Sequence, residues 1–374
     1  MMDIIALLKL AKAKNASDLH IVVDNPPLLR IHGVLKPVEG MPPLTSGDIE
    51  QAFRQVATAK EQADFERNLE LDFGRTVSDV GRLRFNAARQ RGTISMVIRL
   101  LPLTIPSMEA LGLPEICRDM VLRPRGLVVV SGPTGSGKST TLASMIEYLN
   151  QTQHRRVVTI EDPVEYTYTN AKCTITQREL GSDTQSFGEA LRHVLRQDPD
   201  VILVGEMRDL ETASAALTVA ETGHLVLTTG HAPSAYQAVE RITNMFPPHE
   251  RNLAQARLAS LLLGILCQAL VPKADGSGRV AAIEVMLANS AVRNLIREGK
   301  TYQLPNTIRM NTQQGMELLD QALIRLYRSG AISRESVLDF CNDRDEVAKL
   351  MEQPGRDTTW QRNDTGPASN SHTG

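Results

Sequence analysis

The sequence of 374 residues has little cysteine, no cysteine pair and no excess of one charge. Without a CxxC pair a zinc ribbon is disfavoured, and thiols scattered near apolar segments are typical of a reduced cytoplasmic protein. The four cysteines are Cys117, Cys173, Cys267 and Cys341. Lysine and arginine together number 41 and aspartate and glutamate 43, which gives a net charge of −2. This balance argues against a surface that serves mainly to bind nucleic acid.

Long hydrophobic runs are also absent. The longest apolar stretch, residues 258–271, is interrupted by Ser260, Gly264 and Gln268. It is shorter than the roughly 20 residues that a membrane-spanning helix needs. The first ten residues are amphipathic and lack the basic region and small-residue cleavage site of a signal peptide, so they predict a first helix. We therefore expect a cytoplasmic protein with no direct membrane insertion.

A glycine-rich loop is the strongest signal that the sequence contains. Residues 132–139 read G-x-x-x-x-G-K-S and directly follow the apolar run 127–130, whose β-branched residues are typical of a buried strand. The helix predicted behind the loop begins at Lys138, and its N-terminus and dipole favour an anion. In this motif Lys138 reaches the β- and γ-phosphates and Ser139 coordinates Mg²⁺. The residues predicted to bind a nucleoside triphosphate are Gly132, Pro133, Thr134, Gly135, Ser136, Gly137, Lys138, Ser139 and Thr140.

The first hundred residues predict a small α+β domain. Thr45 and Asp48 form a capping box for a helix over 49–57. Strand-like runs cover 19–23, 28–32, 71–75, 81–87 and 94–99. The segment 101–106 contains two prolines, which disfavour helix and central strand, and so predicts a linker.

From 107 to 290 strands and helices alternate, which predicts a parallel sheet with helices on both faces. The predicted strands are 127–130, 156–160, 201–204, 225–228 and 280–285, and the predicted helices are 139–149, 187–196, 210–221 and 236–245. Residues 291–350 predict a helical C-terminal region that includes helices over 291–298 and 315–328. Residues 351–374 are rich in polar and turn-forming residues and predict a disordered tail.

Acidic residues follow two of the predicted strands. Hydrolysis requires a carboxylate near Mg²⁺, an oriented water and positive charge on the phosphoryl oxygens. Glu206 follows the strand 201–204, whose carboxyl end faces the ligand crevice of an α/β sheet, and is predicted to hold Mg²⁺ through water. Glu161 and Glu165 follow the strand 156–160. Either could take a proton from the attacking water, and their spacing alone does not choose between them.

Histidine and arginine side chains complete the set of candidates. His231 follows the strand 225–228 and could contact the γ-phosphate or report its loss, and His224 precedes the same strand. Arginine supplied across a subunit boundary can accelerate phosphoryl transfer by about 10³–10⁵-fold. The arginines considered for this role are Arg84 and Arg99, on neighbouring strands of the first domain, and Arg192 and Arg196, one turn apart on a helix.

Together these segments resemble the secretion-superfamily ATPases of type IV pili and type II secretion. The acidic box 161–165, the atypical Walker B segment 204–209 and the segment 221–224 with His231 match that group. Within it the sequence is most similar to the PilT family of pilus retraction ATPases. The motif Ser17-Asp18-Leu19-His20 resembles that family, and residues 291–298 resemble an AIRNLIRE motif associated with retraction.

The resemblance implies a PAS-like amino-terminal domain, a RecA-like ATPase domain with a helical C-terminal region, and a homohexameric ring. It implies ATP and Mg²⁺ as cofactors, and a motor at the pilus base on the inner face of the cytoplasmic membrane, with a platform protein as partner. It puts Arg84 and Arg99 at the neighbour's nucleotide. We expect Glu165 to activate water, with Glu161 as the alternative. The relatives that drive extension or secretion are longer and usually carry a tetracysteine zinc insertion, which this sequence lacks.

One segment departs from the family. Residues 229–235 read TGHAPSA, whereas the family usually has T-L-H-T-[NT]-S-A there. Gly230 makes the strand end more flexible, and Pro233 makes the chain that follows more rigid. The histidine is retained, and the expected consequence is a change in the position of the His231 side chain.

Three alternatives to a retraction motor stay open at this point. A motor for assembly or secretion, or an accessory retraction ATPase, belongs to the same class. A nucleotide-switched scaffold with little turnover belongs to another class. A RecA-like DNA motor is disfavoured by the balanced charge.

Overall fold

The computed structural model describes residues 2–31, 33–101 and 104–352. Two sheets organise this part of the chain, one with six strands and one with seven. His32, residues 102–103 of the predicted linker and the predicted tail from residue 353 lie outside the described residues. The exact domain boundaries stay predictions.

The first domain is an antiparallel sheet with three helices, and its strand order is β3-β2-β1-β6-β5-β4. Its elements are α1 (Ile4–Ala13), β1 (Asp18–Ile21), β2 (Leu28–Ile31), β3 (Val34–Pro37), α2 (Ser46–Val56), α3 (Ala59–Asn68), β4 (Glu70–Val77), β5 (Gly81–Gln90) and β6 (Thr93–Leu100). The first helix and the predicted strands are confirmed. The pattern missed β3, which is exposed along its length, and α3, in which Phe65 is the buried residue, because neither element has an apolar periodicity.

Local sequence explains how these elements form. Thr45 and Asp48 make the predicted capping box: the Thr45 hydroxyl accepts from the Asp48 amide at 3.2 Å and the Asp48 carboxylate accepts from the Thr45 amide at 3.1 Å. Along β5, Leu83 and Phe85 are buried in the core. Because side chains alternate across a strand, the residue between them, Arg84, lies on the opposite face. The polar face of β5 is therefore free to meet the second domain.

The second domain is built on a sheet with the strand order β13-β12-β7-β11-β10-β8-β9. Its strands are β7 (Gly126–Ser131), β8 (Arg156–Glu161), β9 (Thr174–Glu179), β10 (Val201–Val204), β11 (Leu225–Thr229), β12 (Leu262–Pro272) and β13 (Arg279–Leu287). Neighbouring strands run parallel, as predicted, except that β13 is antiparallel to β12. The prediction was wrong for β13 because residues 273–278 are too few for the crossover that a parallel pair requires.

Helices cover both faces of this sheet and continue to the end of the described chain. They are α4 (Ile116–Val121), α5 (Lys138–Thr152), α6 (Phe187–Val194), α7 (Leu210–Glu221), α8 (Ala235–Asn244), α9 (Arg251–Leu261), α10 (Ser290–Arg297), α11 (Leu304–Met310), α12 (Leu319–Arg328), α13 (Arg334–Phe340) and α14 (Arg344–Glu352). Among the described residues, no helix combines the length and the apolar character needed to cross a bilayer.

Several boundaries differ from the predictions. The predicted helix over 315–328 begins only at Leu319, since Gly315 has a φ of +87° and Glu317 pairs with Val285 as an isolated bridge. The predicted helix over 187–196 ends at Val194. The apolar run 258–271 is divided between the end of α9 and β12. The short α4, the polar-faced α9 and the edge strand β9 were not predicted.

Alternate residues of the central strand β7 pack into different cores. Leu127 and Val129 join the cluster that includes α7, whereas Val128 and Val130 join the cluster that includes Leu142 of α5. Burial on both faces fixes β7, and the strand carries the phosphate-loop sequence at its carboxyl end.

Candidate nucleotide-binding and hydrolytic site

A cavity of about 610 Å³ lies at the carboxyl ends of β7, β8, β10 and β11. The sequence-predicted residues that line it are Thr134, Gly135, Gly137, Lys138, Ser139, Thr140, Glu161, Glu165, Glu206, His231 and Arg84. Gly132, Pro133 and Ser136 belong to the same loop but not to the cavity wall, and Arg99 lies away from it. The structure thus brings together the loop, the three carboxylates and His231. The loop and His231 are almost one hundred residues apart in the sequence.

Glycines give the loop its shape. Gly135 and Gly137 have φ angles of +78° and +89°, in the left-handed region that other residues rarely adopt. A Cβ atom at Gly132 would overlap the carbonyl oxygen of Gln268, so that this approach also requires glycine. Gly137 is the N-cap of α5 and leaves the first amides of that helix directed toward the cavity. The Ser136 hydroxyl is buried without a hydrogen-bond partner among the described residues.

Gln268 of β12 is hydrogen-bonded to the phosphate loop and to α5. The sequence pattern did not predict this role of Gln268. Its side-chain amide donates to the Ser136 carbonyl at 2.6 Å, and its amide oxygen accepts from the Thr141 hydroxyl at 3.0 Å. The residue is buried, with 3% of its surface exposed. A single glutamine inside an apolar run was the available signal, because buried polar side chains are retained where they have partners.

Replacing Gln268 with methionine is expected to lower the free energy of unfolding by about 1–3 kcal/mol and to weaken nucleotide binding. The cause is that the Ser136 carbonyl and the Thr141 hydroxyl lose their partner inside the protein. Urea unfolding and nucleotide titration measure the two effects. The exposed Gln151→Met is the matched control, and its effect should stay within about 0.5 kcal/mol. Equal behaviour of the two variants would contradict this role of Gln268.

Lys138 is held by the loop that it follows. Its ammonium donates to the carbonyls of Gly132 and Pro133, each at 3.0 Å. Burial lowers the pKa of Lys138, while the carboxylates of Glu165 and Glu206 act in the opposite direction and raise it. The ammonium thus lies where a phosphate chain over the loop would meet a positive charge.

Glu161 and Glu165 differ in their surroundings. The Glu161 carboxylate accepts from the Thr159 hydroxyl at 2.6 Å and from the Gln177 amide at 3.2 Å. Burial raises the pKa of Glu161, and these hydrogen bonds partly oppose that effect. Glu165 also lines the cavity, but within the described part of the chain no hydrogen bond or ion pair engages its carboxylate. Glu165 is therefore the acid whose oxygens are available to a bound water.

Glu206 is oriented by two cationic or polar neighbours. The Arg208 Nε lies 2.6 Å from Oε1 of Glu206, and the His231 Nε2 lies 3.5 Å from Oε2. At the end of β11 the Thr229 hydroxyl donates to the Gly205 carbonyl at 2.5 Å, which joins the two strand ends. The histidine reaches the cavity wall although glycine precedes it, so the sequence departure leaves His231 at the site. Arg208 lies within the Walker B segment 204–209, and the sequence pattern did not assign it this contact with Glu206.

The donor set fits Mg²⁺. The Ser139 hydroxyl and the Glu206 carboxylate both line the cavity, and oxygen atoms are the ligands that Mg²⁺ prefers. Carboxylate ligation of this ion is commonly completed by waters and substrate phosphates.

The candidate arginines separate in the structure. Arg84 lines the cavity of its own chain, with Nε 3.8 Å from Asp72. Arg99 lies directly opposite Arg84 on β6, but its Nε donates to Asp18 at 2.9 Å. In this single chain the first domain brings Arg84 to its own nucleotide cavity, whereas the resemblance implied a neighbour's site. A role for Arg99 at a subunit boundary stays a prediction.

His224 and the helix arginines lie outside the cavity. His224 precedes β11 and so sits at the opposite end of the sheet, where its Nδ1 is 3.0 Å from the Thr222 hydroxyl. Arg192 forms surface ion pairs with Glu189 and Glu211. Arg196, at the end of the same segment, is exposed and also lies outside the cavity wall. The sequence did not exclude these three residues, because a local pattern does not show which end of a strand or which face of a helix lies at the site.

This chain is similar to known proteins over most of its length. A family model described as "Type II/IV secretion system protein" matches residues 4–339. The "Type IV pilus retractation ATPase PilT" of Pseudomonas aeruginosa is 44% identical over 335 residues, which cover 90% of this chain and 97% of that protein. The "Type IV pilus ATPase PilU" of the same organism is 41% identical over 359 residues, which cover 95% of this chain and 94% of that protein.

Solved structures show the same architecture. The crystal structure of the pilus retraction motor PilT with bound ADP matches with a TM-score of 0.88 and 42% identity, covering 93% of this chain and 100% of that one. The Legionella pneumophila ATPase DotB matches with a TM-score of 0.77 and 28% identity, covering 88% and 93%. The expected fold class, a PAS-like α+β domain followed by a RecA-like P-loop domain with C-terminal helices, is confirmed.

Proposed function

This chain belongs to the type II/IV secretion system protein family and is an ATPase, and we propose that it acts as a hexameric motor that retracts type IV pili. One observation carries the proposal. The cavity that unites the phosphate loop with three carboxylates lies in a chain 44% identical to a pilus retraction ATPase over nearly the full length of both. A retraction motor pulls on a pilus by disassembling it, and ATP hydrolysis supplies the work.

Nucleotide binding rests on the loop and on α5. Lys138 exchanges its loop carbonyls for the β- and γ-phosphates, and the first amides of α5 bind the remaining phosphate oxygens. Ser139 and Glu206 are the residues that would hold Mg²⁺, Glu206 through water, and a bound ion would supply positive charge to the phosphates. Arg208 and His231 keep the Glu206 carboxylate in position.

Hydrolysis needs a base for the attacking water, and Glu165 is the proposed one. Its carboxylate lines the cavity and is not engaged by another side chain among the described residues. Glu161 is held by Thr159 and Gln177, which suits it to shaping the loop that carries Glu165. Arg84 enters the cavity from the first domain and supplies positive charge to the phosphoryl group. Because Arg84 belongs to the other domain, domain position and hydrolysis are coupled.

The remaining parts of the proposal concern assembly and place. The chain forms a homohexamer, in which Arg99 reaches toward a neighbouring subunit's nucleotide. It acts in the cytoplasm at the pilus base, against an inner-membrane platform protein and without nucleic acid. A net charge of −2 supports the last point.

An accessory retraction ATPase is the second candidate. The match to PilU covers 95% of this chain, slightly more than the 90% covered by the match to PilT. An accessory motor adds force to a main one, so cells lacking it keep retracting pili as long as the main motor is present. A main motor is indispensable for retraction.

The segment 291–298 offers a test that separates retraction from assembly. Arg293 is structural, since its guanidinium donates to the carbonyls of Ala259, Ser260 and Leu262 at the end of α9. Arg297 is exposed and makes no such contact. Replacing Arg297 with alanine is expected to leave the fold and the ATP turnover intact while surface pili accumulate.

Counts of surface pili and phosphate release from the purified variant measure the two effects. Arg334→Ala, an exposed arginine on α13, is the matched control and should behave as the wild type. Loss of pili in the Arg297 variant would favour an assembly motor.

A further inference from the structure

An ion pair joins the two domains next to the site. The Arg82 guanidinium of β5 donates to Oε2 of Glu179, the last residue of β9. The side chains are 20% and 7% exposed, so the pair is largely shielded from water. Gly74 of β4 leaves room for it, because a Cβ there would lie 3.0 Å from the Glu179 carboxylate. Within residues 2–31, 33–101 and 104–352, no other ion pair joins the domains.

Glu179 also holds the acidic box. The same Oε2 accepts from the backbone amide of Val164 at 3.1 Å. Val164 is the residue directly before Glu165, so this bond fixes the backbone that carries the proposed base. The residue after Glu179 makes a second contact with the acidic box, because the Leu180 amide donates to the Glu161 carbonyl at 2.9 Å. One carboxylate oxygen therefore connects the first domain to the loop of the hydrolytic site.

The Arg82 contact also helps to position Arg84. The two arginines are two residues apart on β5 and so lie on the same face of the strand. Leu83 between them is buried in the core of the first domain, which fixes that face toward the ATPase domain. When Arg82 binds Glu179, the neighbouring Arg84 lines the nucleotide cavity.

We propose that Arg82 and Glu179 are positioning residues for ATP hydrolysis, through which the placement of the first domain controls the acidic box. The inference rests on the proposed hydrolytic function of this site. With the pair formed, Glu179 holds the Val164 amide, Glu165 faces the cavity and Arg84 lies beside it. Rotation of the first domain away from β9 separates the pair, withdraws Arg84 and loosens the backbone of Glu165 in one movement. Hydrolysis then occurs in the arrangement in which the two domains are in contact.

Kinetics of full-length purified variants test this pair. Arg82→Gln and Glu179→Gln are expected to lower kcat by about 10- to 100-fold with little change in KM, because a small misplacement of reacting groups has effects of that size. Arg82→Lys keeps the charge and should recover part of the rate. Arg89→Gln is the matched control, since Arg89 lies on the same strand and pairs with Glu66 inside its own domain. Its turnover should equal that of the wild type.

The outcomes separate the inference from the function on which it rests. Turnover of Arg82→Gln equal to that of Arg89→Gln, or a raised KM at unchanged kcat, overturns the positioning role while wild-type hydrolysis stands. Wild-type turnover no faster than that of Lys138→Ala overturns the hydrolytic function itself. Thermal unfolding of each variant identifies a misfolded one, and Arg82→Lys then supplies the deciding rate.

Discussion

Replacing Glu165 with glutamine is expected to slow ATP hydrolysis by about 10²–10⁴-fold while nucleotide binding is retained. Glutamine keeps the size and shape of the side chain but cannot take a proton from water. The Glu165 carboxylate lines the cavity and, among the described residues, is not used in another hydrogen bond or ion pair. Its loss therefore removes the proton acceptor and leaves the phosphate loop unchanged. Single-turnover phosphate release and titration with a fluorescent ATP analogue measure the two quantities.

Glu161→Gln is the informative comparison for this prediction. Glu161 accepts from Thr159 and Gln177 through the same oxygen, Oε1, and a glutamine there keeps an oxygen able to accept from both. We expect a smaller loss of rate, which reflects a displaced loop. A larger loss for Glu161→Gln than for Glu165→Gln would reverse the assignment of the two acids.

Replacing Lys138 with alanine has the second large expected effect. The ammonium is the positive charge of the phosphate loop. Without it, the negative charge that develops on the phosphate during hydrolysis loses a charge-assisted hydrogen-bond donor. We expect the turnover to fall by at least about 10²-fold and nucleotide binding to weaken. Phosphate release measures the turnover, with the exposed Lys172→Ala as a control that keeps wild-type activity. Turnover of Lys138→Ala within a few-fold of wild type would mean that phosphate is bound elsewhere.

Local sequence was sufficient to predict the parts of the site that depend on one segment. The loop 132–139 contains its own glycines and its own lysine, so its conformation follows from residues next to one another. Glu206 and His231 were found because each lies two residues after the end of a strand with an apolar sequence, and the carboxyl ends of parallel strands meet at one edge. Periodicity and position were enough for these residues.

Partners distant in sequence were not predictable in this way. Gln268 contacts Ser136 across 132 positions, and Glu179 contacts Arg82 across 97. A polar residue in a strand does not indicate which distant group it meets, because strand order is decided by the packing of the whole sheet. The direction of β13 was missed for a related reason, since local pattern does not distinguish a hairpin from a crossover unless the loop length is considered.

The choice between Glu161 and Glu165 shows what three-dimensional contacts add. The spacing left both acids open, since both follow the predicted strand 156–160. Burial and two side-chain donors engage Glu161, while Glu165 is left facing the cavity. Arg84 gives a second example, because the fold of a single chain brings it to that chain's own cavity. Both distinctions depend on which atoms are near, which sequence pattern does not report.

Pilus number and surface motility in cells that lack this protein test the central claim most directly. Strains restored with the wild type or with Glu165→Gln connect the phenotype to ATP hydrolysis. A retraction motor predicts many surface pili and no movement in the deletion strain, full recovery with the wild type, and no recovery with Glu165→Gln. Few or no pili in the deletion strain, or unchanged movement, would contradict the account.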